Sequence, residues 1–345
     1  MEIIDIDMGK DFKLLFPCFS MDFISVIVAV RNEEEYIKKS LDSLLDQSIG
    51  FYEIIVVDGN SEDGTLSIVK EYKKKYPEKI RVFQNPKKRQ VFGRNIGIKN
   101  SRGNFIVYID GHTYAEKNWL ESLYKTLKDS KKDVGGVGSI HLSPKSENFI
   151  QRAINNVFTS FLGGFTSSYR SDFNIKEVIT APFVMYRREV LEKLGFYDEK
   201  MLYGEDFDLN YRINKGGYKI LLQPKAITYY IKRKTLKDFI KQMYKYGKGR
   251  AYILKKHPDS FKFFYLSPIF FFLCFFLPFL SLISEIFLYL FLVYYGIFFI
   301  AFFLSSIRIS IKEKDIRFLS CTCLYFIEYF FYGLGLIYNY IKLTL

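Results

Sequence analysis

Two aspartates stand where a short β-branched run gives way to a polar turn. Asp58 lies in Val-Val-Asp-Gly-Asn-Ser-Glu-Asp-Gly-Thr (56–65), and Asp110 ends Ile-Val-Tyr-Ile-Asp (106–110) and is followed by Gly111 and His112. A carboxylate held in a turn of Gly, Asn, Ser and Asp is an acceptor for the N–H and O–H groups of a nucleobase or ribose. The same turn chemistry starts helices, and Ser61 and Asp63 are read as caps of the helix that follows, whereas Asp58 is read as a ligand-binding acid. A third acidic group, Gly204-Glu205-Asp206 with Asp208, opens a later helix. An acid there either complements the positive end of the helix or takes a proton from a reacting hydroxyl, and the first role suits Glu205 and Asp208 better. His141 and His257 lack metal-spaced partners and read as surface or loop residues.

From Phe23 onward, β-branched runs alternate with amphipathic stretches, which predicts parallel strands joined by crossover helices. The strands are expected at Ile24–Val30, Glu53–Val57, Ile80–Phe83 and Phe105–Ile109. Helical spacing follows the first two, at Tyr36, Ile37, Ser40, Leu41, Leu44 and Leu45, then at Leu66, Val69, Tyr72 and Tyr76. Ligands of open parallel sheets bind beyond the carboxyl ends of the strands, and Asp58 and Asp110 both fall there. Farther along are a short strand around 178–186, a helix over 206–214 closed by Gly216-Gly217, and extended segments from 218 to 230. Trp119, Tyr186 and Phe196 are read as core, because lone aromatics in an aromatic-rich chain usually are.

The excess of apolar residues, 49% of 345 with 19% aromatic, is concentrated after Lys262. Three apolar spans are expected there: one between Lys262 and Glu285, one between Glu285 and Arg308, and one between Arg317 and Lys342 interrupted by Glu328. Glu328, near mid-span, is expected to make a polar contact between helices. Arg308, Lys312, Lys314 and Arg317 outnumber Glu313 and Asp315, so the loop they occupy should be cytoplasmic. Lys262 and the soluble part then share that side, and the chain end beyond Leu345 is expected outside.

The formal charge of +13 raises the question of nucleic acid, and its distribution answers it. Between Lys232 and Lys256 ten Lys or Arg residues face one acid, Asp238, directly before the apolar region. That position fits an anionic lipid surface and excludes nucleic acid as the expected partner. Leu236, Phe239, Ile240 and Met243 share one face of the same helical stretch, the pattern of a helix lying on a membrane. The four cysteines, Cys18, Cys274, Cys321 and Cys323, show neither a disulfide framework nor zinc spacing. The first twenty residues carry four acids and no apolar core, so residues 1–22 read as an N-terminal arm rather than a secretory signal.

Together these segments resemble the family 2 glycosyltransferases. The carriers are "SVIVAVRNEEEYIKKSLDSLLDQS", "VVDGNSEDGT" and "GRNIGIKNSRGNFIVYIDGH", in that order. The subgroup of succinoglycan-type membrane glycosyltransferases is resembled through "DGH", "TAPFVMYRREVLEKLGFYDEKMLYGEDFDLNYRINKGGYKI", "QMYKYGKGRA" and "YGLGL". The resemblance covers nearly everything after residue 22.

It implies an α/β fold of the GT-A type with a mostly parallel central sheet at 23–230, an interfacial helix at 231–262 and about three transmembrane helices at 263–345. It also implies nucleotide-sugar binding by Ala29, Arg31, Glu33, Asp58, Arg89, Arg94 and Asp110, with Asp206 as the catalytic base. Arg31 stands where the family has an aromatic side chain near the base, and its guanidinium plane could stack there. A divalent metal, Mg or Mn, would be held by Asp110 and by His112, which replaces the second Asp of the family's Asp-any-Asp motif; second-shell bonding or sugar contact is the other role open to His112. Glu205, Gln242, Lys245 and Tyr246 are placed at the acceptor or product, the last three because "QMYKY" is similar to the Gln-x-x-Arg-Trp motif of processive relatives. The implied reaction is inverting hexose transfer from a UDP-sugar to a lipid-linked saccharide. Rival readings are a polyprenyl-phosphate sugar synthase and a non-catalytic membrane sensor, the latter lacking the Gly-x-Gly-x-x-Gly it would need after the first strand.

Overall fold

The computed structural model describes residues 22–144, 148–163, 174–201, 203–230 and 235–345. The expected arm up to residue 21, Cys18, and Lys232, Arg233 and Lys234 lie outside the described residues.

Two compact units emerge. The first comprises residues 22–139, 175–197 and 212–228, and the second the described parts of 140–174, 198–211 and 229–345.

In the first unit the chain begins with β1 (Ile24–Val30), α1 (Ile37–Leu45), β2 (Tyr52–Asp58), α2 (Thr65–Lys75), β3 (Ile80–Gln84), α3 (Gln90–Asn100) and β4 (Phe105–Asp110). All seven residues of β2 are buried, which explains its continuous apolar run: a strand covered on both faces does not alternate. β1 pairs in parallel with β2 on one side and β4 on the other, and β2 pairs in parallel with β3. The order β3-β2-β1-β4 reverses direction between β1 and β4, and this switch point is where an open sheet leaves a crevice for ligands.

Beyond β4 the alternation of strand and crossover helix stops, and so does parallel pairing. There follow β5 (Thr113–Ala115), α4 (Trp119–Asp129), β6 (Val134–Leu142), α5 (Phe149–Thr159), β7 (Lys176–Val178), β8 (Met185–Arg187), α6 (Arg188–Leu194), α7 (Glu205–Lys215) and β9 (Lys219–Tyr230). β8 is antiparallel to both β4 and β6, and β7 is antiparallel to β9. The sheet is therefore mixed, which corrects the expectation of a mostly parallel one. The single strand expected around 178–186 is two strands, interrupted where Pro182 lacks a ladder donor and Phe183 turns to φ +43°. Trp119 is fully buried and donates its indole N–H to Ser139 Oγ at 2.7 Å, as a core residue should.

The second unit is helical at its carboxyl end: α8 (Leu236–Lys256), α9 (Leu266–Cys274), α10 (Leu277–Leu280), α11 (Ile286–Glu313) and α12 (Cys321–Thr344). Two stretches, Ile286–Glu313 and Ile316–Thr344, are long and apolar enough to cross a membrane by length and composition. The first of the three expected spans is instead broken into α9 and α10, where Pro278 in the first turn of α10 lacks a backbone donor. α5 carries a capping box, Asn148 with Gln151, and packs Ala153, Ile154, Val157 and Phe158 into a cluster with Phe239, Phe302 and Tyr325. Glu328 is buried on α12, and a Cβ placed on Gly163 would lie 2.9 Å from its Oε2.

Candidate active site

In the first unit three loops leave the carboxyl ends of β1, β2 and β3 side by side. Val30 is level with Asp58 across the β1–β2 ladder, and Ala29 is level with Asp110 across the β1–β4 ladder. Ala29 is the one residue of β1 that is not fully buried, and its small side chain stands level with Asp110. Five non-glycine residues among those described have positive φ, and three of them are here: Asn32 (55°), Asn60 (54°) and Lys88 (62°). Asn adopts this region at low cost and Lys does not, so strain concentrates at Lys88, a pattern typical of ligand sites.

The loops bind each other through their polar groups. Asn32 N–H donates to Ser61 Oγ at 3.1 Å, and Glu62 N–H returns a bond to Asn32 Oδ1 at 2.8 Å. Glu33 N–H donates to Thr65 Oγ1 at 2.8 Å, and Gly64 N–H to Glu34 Oε2 at 2.8 Å. Asp63 Oδ1 accepts the N–H and hydroxyl of Thr65 at 3.0 and 2.5 Å. Burial works to raise the Asp63 pKa, but the bonds from Thr65 and from the Glu34 N–H outweigh it and hold the carboxyl below its ordinary value. Ser61 and Asp63 thus serve the turn itself.

Asp58 differs. Its side chain is fully buried, Oδ2 accepts Ser61 N–H at 3.2 Å, and Oδ1 has no hydrogen-bond partner among the described residues. A buried carboxylate oxygen left without a donor is costly, so the turn is complete only with a further donor. Above it the cations are spread around Glu62: Arg31 and Lys88 each approach Glu62 Oε1 at 3.4 Å. Arg31 side chain is 40% exposed, and Arg89, at the cap of α3, is exposed as well.

Arg94 occupies a different place from Arg89. It is buried, its guanidinium lies 4.0 Å from the Tyr108 ring centroid, and Nη2 meets Asp110 Oδ1 at 3.3 Å. Gln90 Nε2 also donates to Asp110 Oδ1. Gln90 and Arg94 are four residues apart on α3, which puts both on one helix face. That spacing was the available signal for Gln90, a residue that sequence reasoning missed. His112 Nδ1 lies 2.9 Å from Glu33 Oε1, so Glu33 orients the imidazole. No group of three or more His, Cys, Asp or Glu able to hold a metal occurs among the described residues. The chain itself offers Asp110 and His112, and an ion there would draw its remaining ligands from bound oxygens and water.

The second unit holds the remaining candidates. Glu205 and Asp206 lie in the first turn of α7 and are half-buried. Gly204, at φ +77°, precedes them, so the turn requires glycine, and a Cβ there would also displace the end of the Ile253 side chain, whose Cδ1 would lie at 2.8 Å. Asp208 is fully buried, with Lys256 Nζ at 2.6 Å and His257 Nε2 at 2.8 Å from Oδ1. His257 is therefore a partner of Asp208 and not a loop residue without a role, and Asp208 is a structural acid. Gln242 is buried and donates to Tyr246 Oη at 2.9 Å, Lys245 is exposed, and the Tyr246 ring is 6.4 Å from that of Phe158.

Comparison with known proteins agrees with this geometry. The pattern of Glycosyl transferase family 2 matches residues 25–195. A Methanococcus voltae protein, dolichyl N-acetyl-alpha-D-glucosaminyl phosphate 3-beta-D-2,3-diacetamido-2,3-dideoxy-beta-D-glucuronosyltransferase, is 32% identical over 68% of this chain and 75% of its own length. The succinoglycan biosynthesis protein ExoA of Rhizobium meliloti is 25% identical over 67% of this chain and 70% of its own. A mannosyltransferase from Pyrobaculum calidifontis, solved in complex with GDP-Man and Mn2+, shares the fold at a TM-score of 0.53 and 18% identity, over 74% of this chain and 71% of that one. Acid-bearing strand ends at a switch point and this degree of relatedness lead to one conclusion: the chain belongs to the family 2 glycosyltransferases, enzymes that use nucleotide sugars in polysaccharide or glycoconjugate biosynthesis.

Proposed function

We propose that the chain transfers a hexose from a UDP-sugar, with inversion, to a lipid-linked saccharide at the cytoplasmic face of a membrane. The observation that carries the donor half is the register at the switch point, which brings Asp58 and Asp110 to either side of the end of β1. Asp58 accepts hydrogen bonds from the nucleoside, Arg31 and Arg89 face it from the loops, and Ala29 leaves room beside Asp110. Arg94 and Gln90 fix the Asp110 carboxylate from behind. Family 2 enzymes generally use a divalent metal, and here Asp110 with Glu33-oriented His112 would hold it. Bound there, the ion supplies positive charge to the departing diphosphate.

In the transfer, the acceptor hydroxyl oxygen forms a bond to the anomeric carbon as the bond from that carbon to the diphosphate oxygen breaks. The electron pair leaves with the nucleoside diphosphate, and Asp206 takes the hydroxyl proton. One displacement inverts the anomeric centre. Glu205, Gln242, Lys245 and Tyr246 serve the acceptor or product.

Two features support a lipid-linked acceptor. The name of the Methanococcus relative specifies a dolichyl-phosphate-linked sugar as the group it extends. In this chain α11 carries exposed Leu288, Leu290, Leu292, Val293, Ile297 and Ile300, a surface that suits hydrocarbon and not water. At 28 residues α11 is about 42 Å long, enough for a bilayer core of about 30 Å. Residues 23–230 then form the catalytic part, 231–262 the surface helix and 263–345 the membrane part. Purified protein supplied with a panel of nucleotide sugars and membrane lipid extract tests the reading. Lipid-extractable product of inverted configuration from a UDP-sugar is expected, and transfer only to water-soluble acceptors overturns it.

A further inference from the structure

Three buried charges in this chain are paired: Glu53 has Arg81 at 3.0 Å, Arg94 has Asp110 at 3.3 Å and Asp208 has Lys256 at 2.6 Å. Arg250 on α8 is different. It is 8% exposed, and rings face its guanidinium, with the Tyr265 centroid at 4.2 Å and the Phe207 centroid at 5.0 Å. Nε donates to Tyr332 Oη at 3.3 Å. Nη1 has no hydrogen-bond partner, and no carboxylate pairs with this guanidinium among the described residues. The rings offset part of the cost of burying the charge, but their faces are no substitute for an acceptor in the plane of the guanidinium fork. Local repacking cannot supply one. Gly247 on α8 abuts the Tyr332 carbonyl of α12, and Gly335 on α12 abuts the Tyr244 carbonyl of α8, approaches that leave no room for a Cβ and hold the two helices together beside Arg250.

We infer that Arg250 is the binding site for the phosphate ester of the lipid-linked acceptor, whose oxygen accepts a hydrogen bond from Nη1. The order of the parts carries the assignment. Phe207, on one side of the guanidinium, directly follows Asp206, the proposed base, in α7. Tyr265 and Tyr332, which also contact it, directly precede α9 and lie on α12, in the apolar part of the chain. A lipid-linked saccharide has the same sequence of parts: reacting hydroxyl, sugar, phosphate ester, hydrocarbon. Tyr265 and Tyr332 are buried, whereas Phe207 is partly exposed, so the phosphate enters past the Phe207 ring. The donor diphosphate has its own proposed counter-charge, the ion at Asp110 in the first unit, and the acceptor phosphate has none but Arg250. An arginine suits this task because its planar donors match phosphate oxygens and its charge persists when buried.

The inference rests on the lipid-linked acceptor proposed above, and the test keeps the two apart. Thermal unfolding of the full-length protein in detergent is followed with farnesyl phosphate and with farnesol. The phosphate should raise Tm more than the alcohol in the wild type; equal shifts overturn the inference without any variant. Arg250→Met should abolish the difference and Arg250→Lys keep part of it. In transfer assays with membrane lipid extract, Arg250→Met should raise the half-saturating amount of acceptor about 10- to 100-fold, the range of one charge-assisted hydrogen bond, with UDP affinity unchanged. If UDP affinity falls instead, the guanidinium serves the donor; if lipid transfer proceeds with unchanged acceptor saturation, it serves packing alone. Either result overturns the inference while the acceptor reading stands. Wild-type transfer only to water-soluble acceptors overturns the acceptor reading itself, and the inference with it.

Discussion

Lys256→Met should destabilise the protein more than Asp208→Asn, although the two substitutions break the same ion pair. Asp208 side chain is fully buried, whereas Lys256 is 30% exposed and has a second carboxylate, Asp198 Oδ2, at 2.7 Å. Losing Asp208 leaves Lys256 with Asp198 and with access to water, a loss of about 1 kcal/mol, the usual value of one hydrogen bond. Losing Lys256 removes an ammonium from a buried carboxylate, whose Oδ1 keeps His257 Nε2 at 2.8 Å. Breaking a buried pair by removing one partner costs about 3–5 kcal/mol, and the partial exposure of Lys256 sets the value at about 3 kcal/mol. At roughly 2–4 °C per kcal/mol for a domain of this size, Tm should fall by about 6–12 °C for Lys256→Met and by about 2–4 °C for Asp208→Asn. The double variant should recover part of the larger loss, because no buried charge is then abandoned. Asp206 lies in the same helical turn, so kcat of Lys256→Met should fall about tenfold or more while nucleotide affinity holds. Thermal unfolding of the three purified variants, with a transfer assay on each, gives the answer. Equal losses for the two single variants, or a double variant that loses their sum, would refute the reasoning.

The roles assigned to the acids differ in kind, and the assays separate them. Asp206→Asn should fold, bind UDP with near wild-type affinity by calorimetry and lose about 10²- to 10⁴-fold in kcat; transfer within a few-fold of wild type would move the base elsewhere, to Glu205. Asp58→Asn should weaken nucleotide binding itself, with kcat at saturation changed less. Asp110→Asn should abolish turnover with any divalent ion, whereas His112→Asp should keep activity and shift preference from Mn toward Mg; full activity in excess EDTA would remove the metal from the mechanism. Gly204→Ala should cost stability by about 1–3 kcal/mol, because φ +77° and the 2.8 Å approach of Ile253 both oppose a Cβ; an unchanged Tm would argue against the described turn.

The sequence by itself determined the four β-strands up to residue 110 and the two helices that follow β1 and β2, because each carries its own periodicity and its own breaker, whereas α3, with three glycine or asparagine residues among its inward positions, was not read. β1 matches the expected Ile24–Val30, and β2 and β4 end on Asp58 and Asp110, as strand-end acids followed by polar turns should. The acid-rich turns were legible for the same reason, and so was the amphipathic helix ahead of the apolar region. What the sequence left undecided depends on pairing between distant segments. Whether β8 runs parallel or antiparallel to β4 is set by where the chain re-enters the sheet, and three residues of local pattern carry no information about that. The same holds for Asp208 and His257, 49 positions apart, which read as a helix-end acid and a loop histidine until packing brings Nε2 to 2.8 Å from Oδ1. Arg94 shows the limit most plainly: the sequence places a basic group near the nucleotide, and only the packed sheet shows it buried behind Asp110, against Tyr108. Hydropathy, finally, measures how apolar α12 is but not what covers it; the glycine contacts with α8 are tertiary, and they decide whether an apolar helix meets lipid or protein.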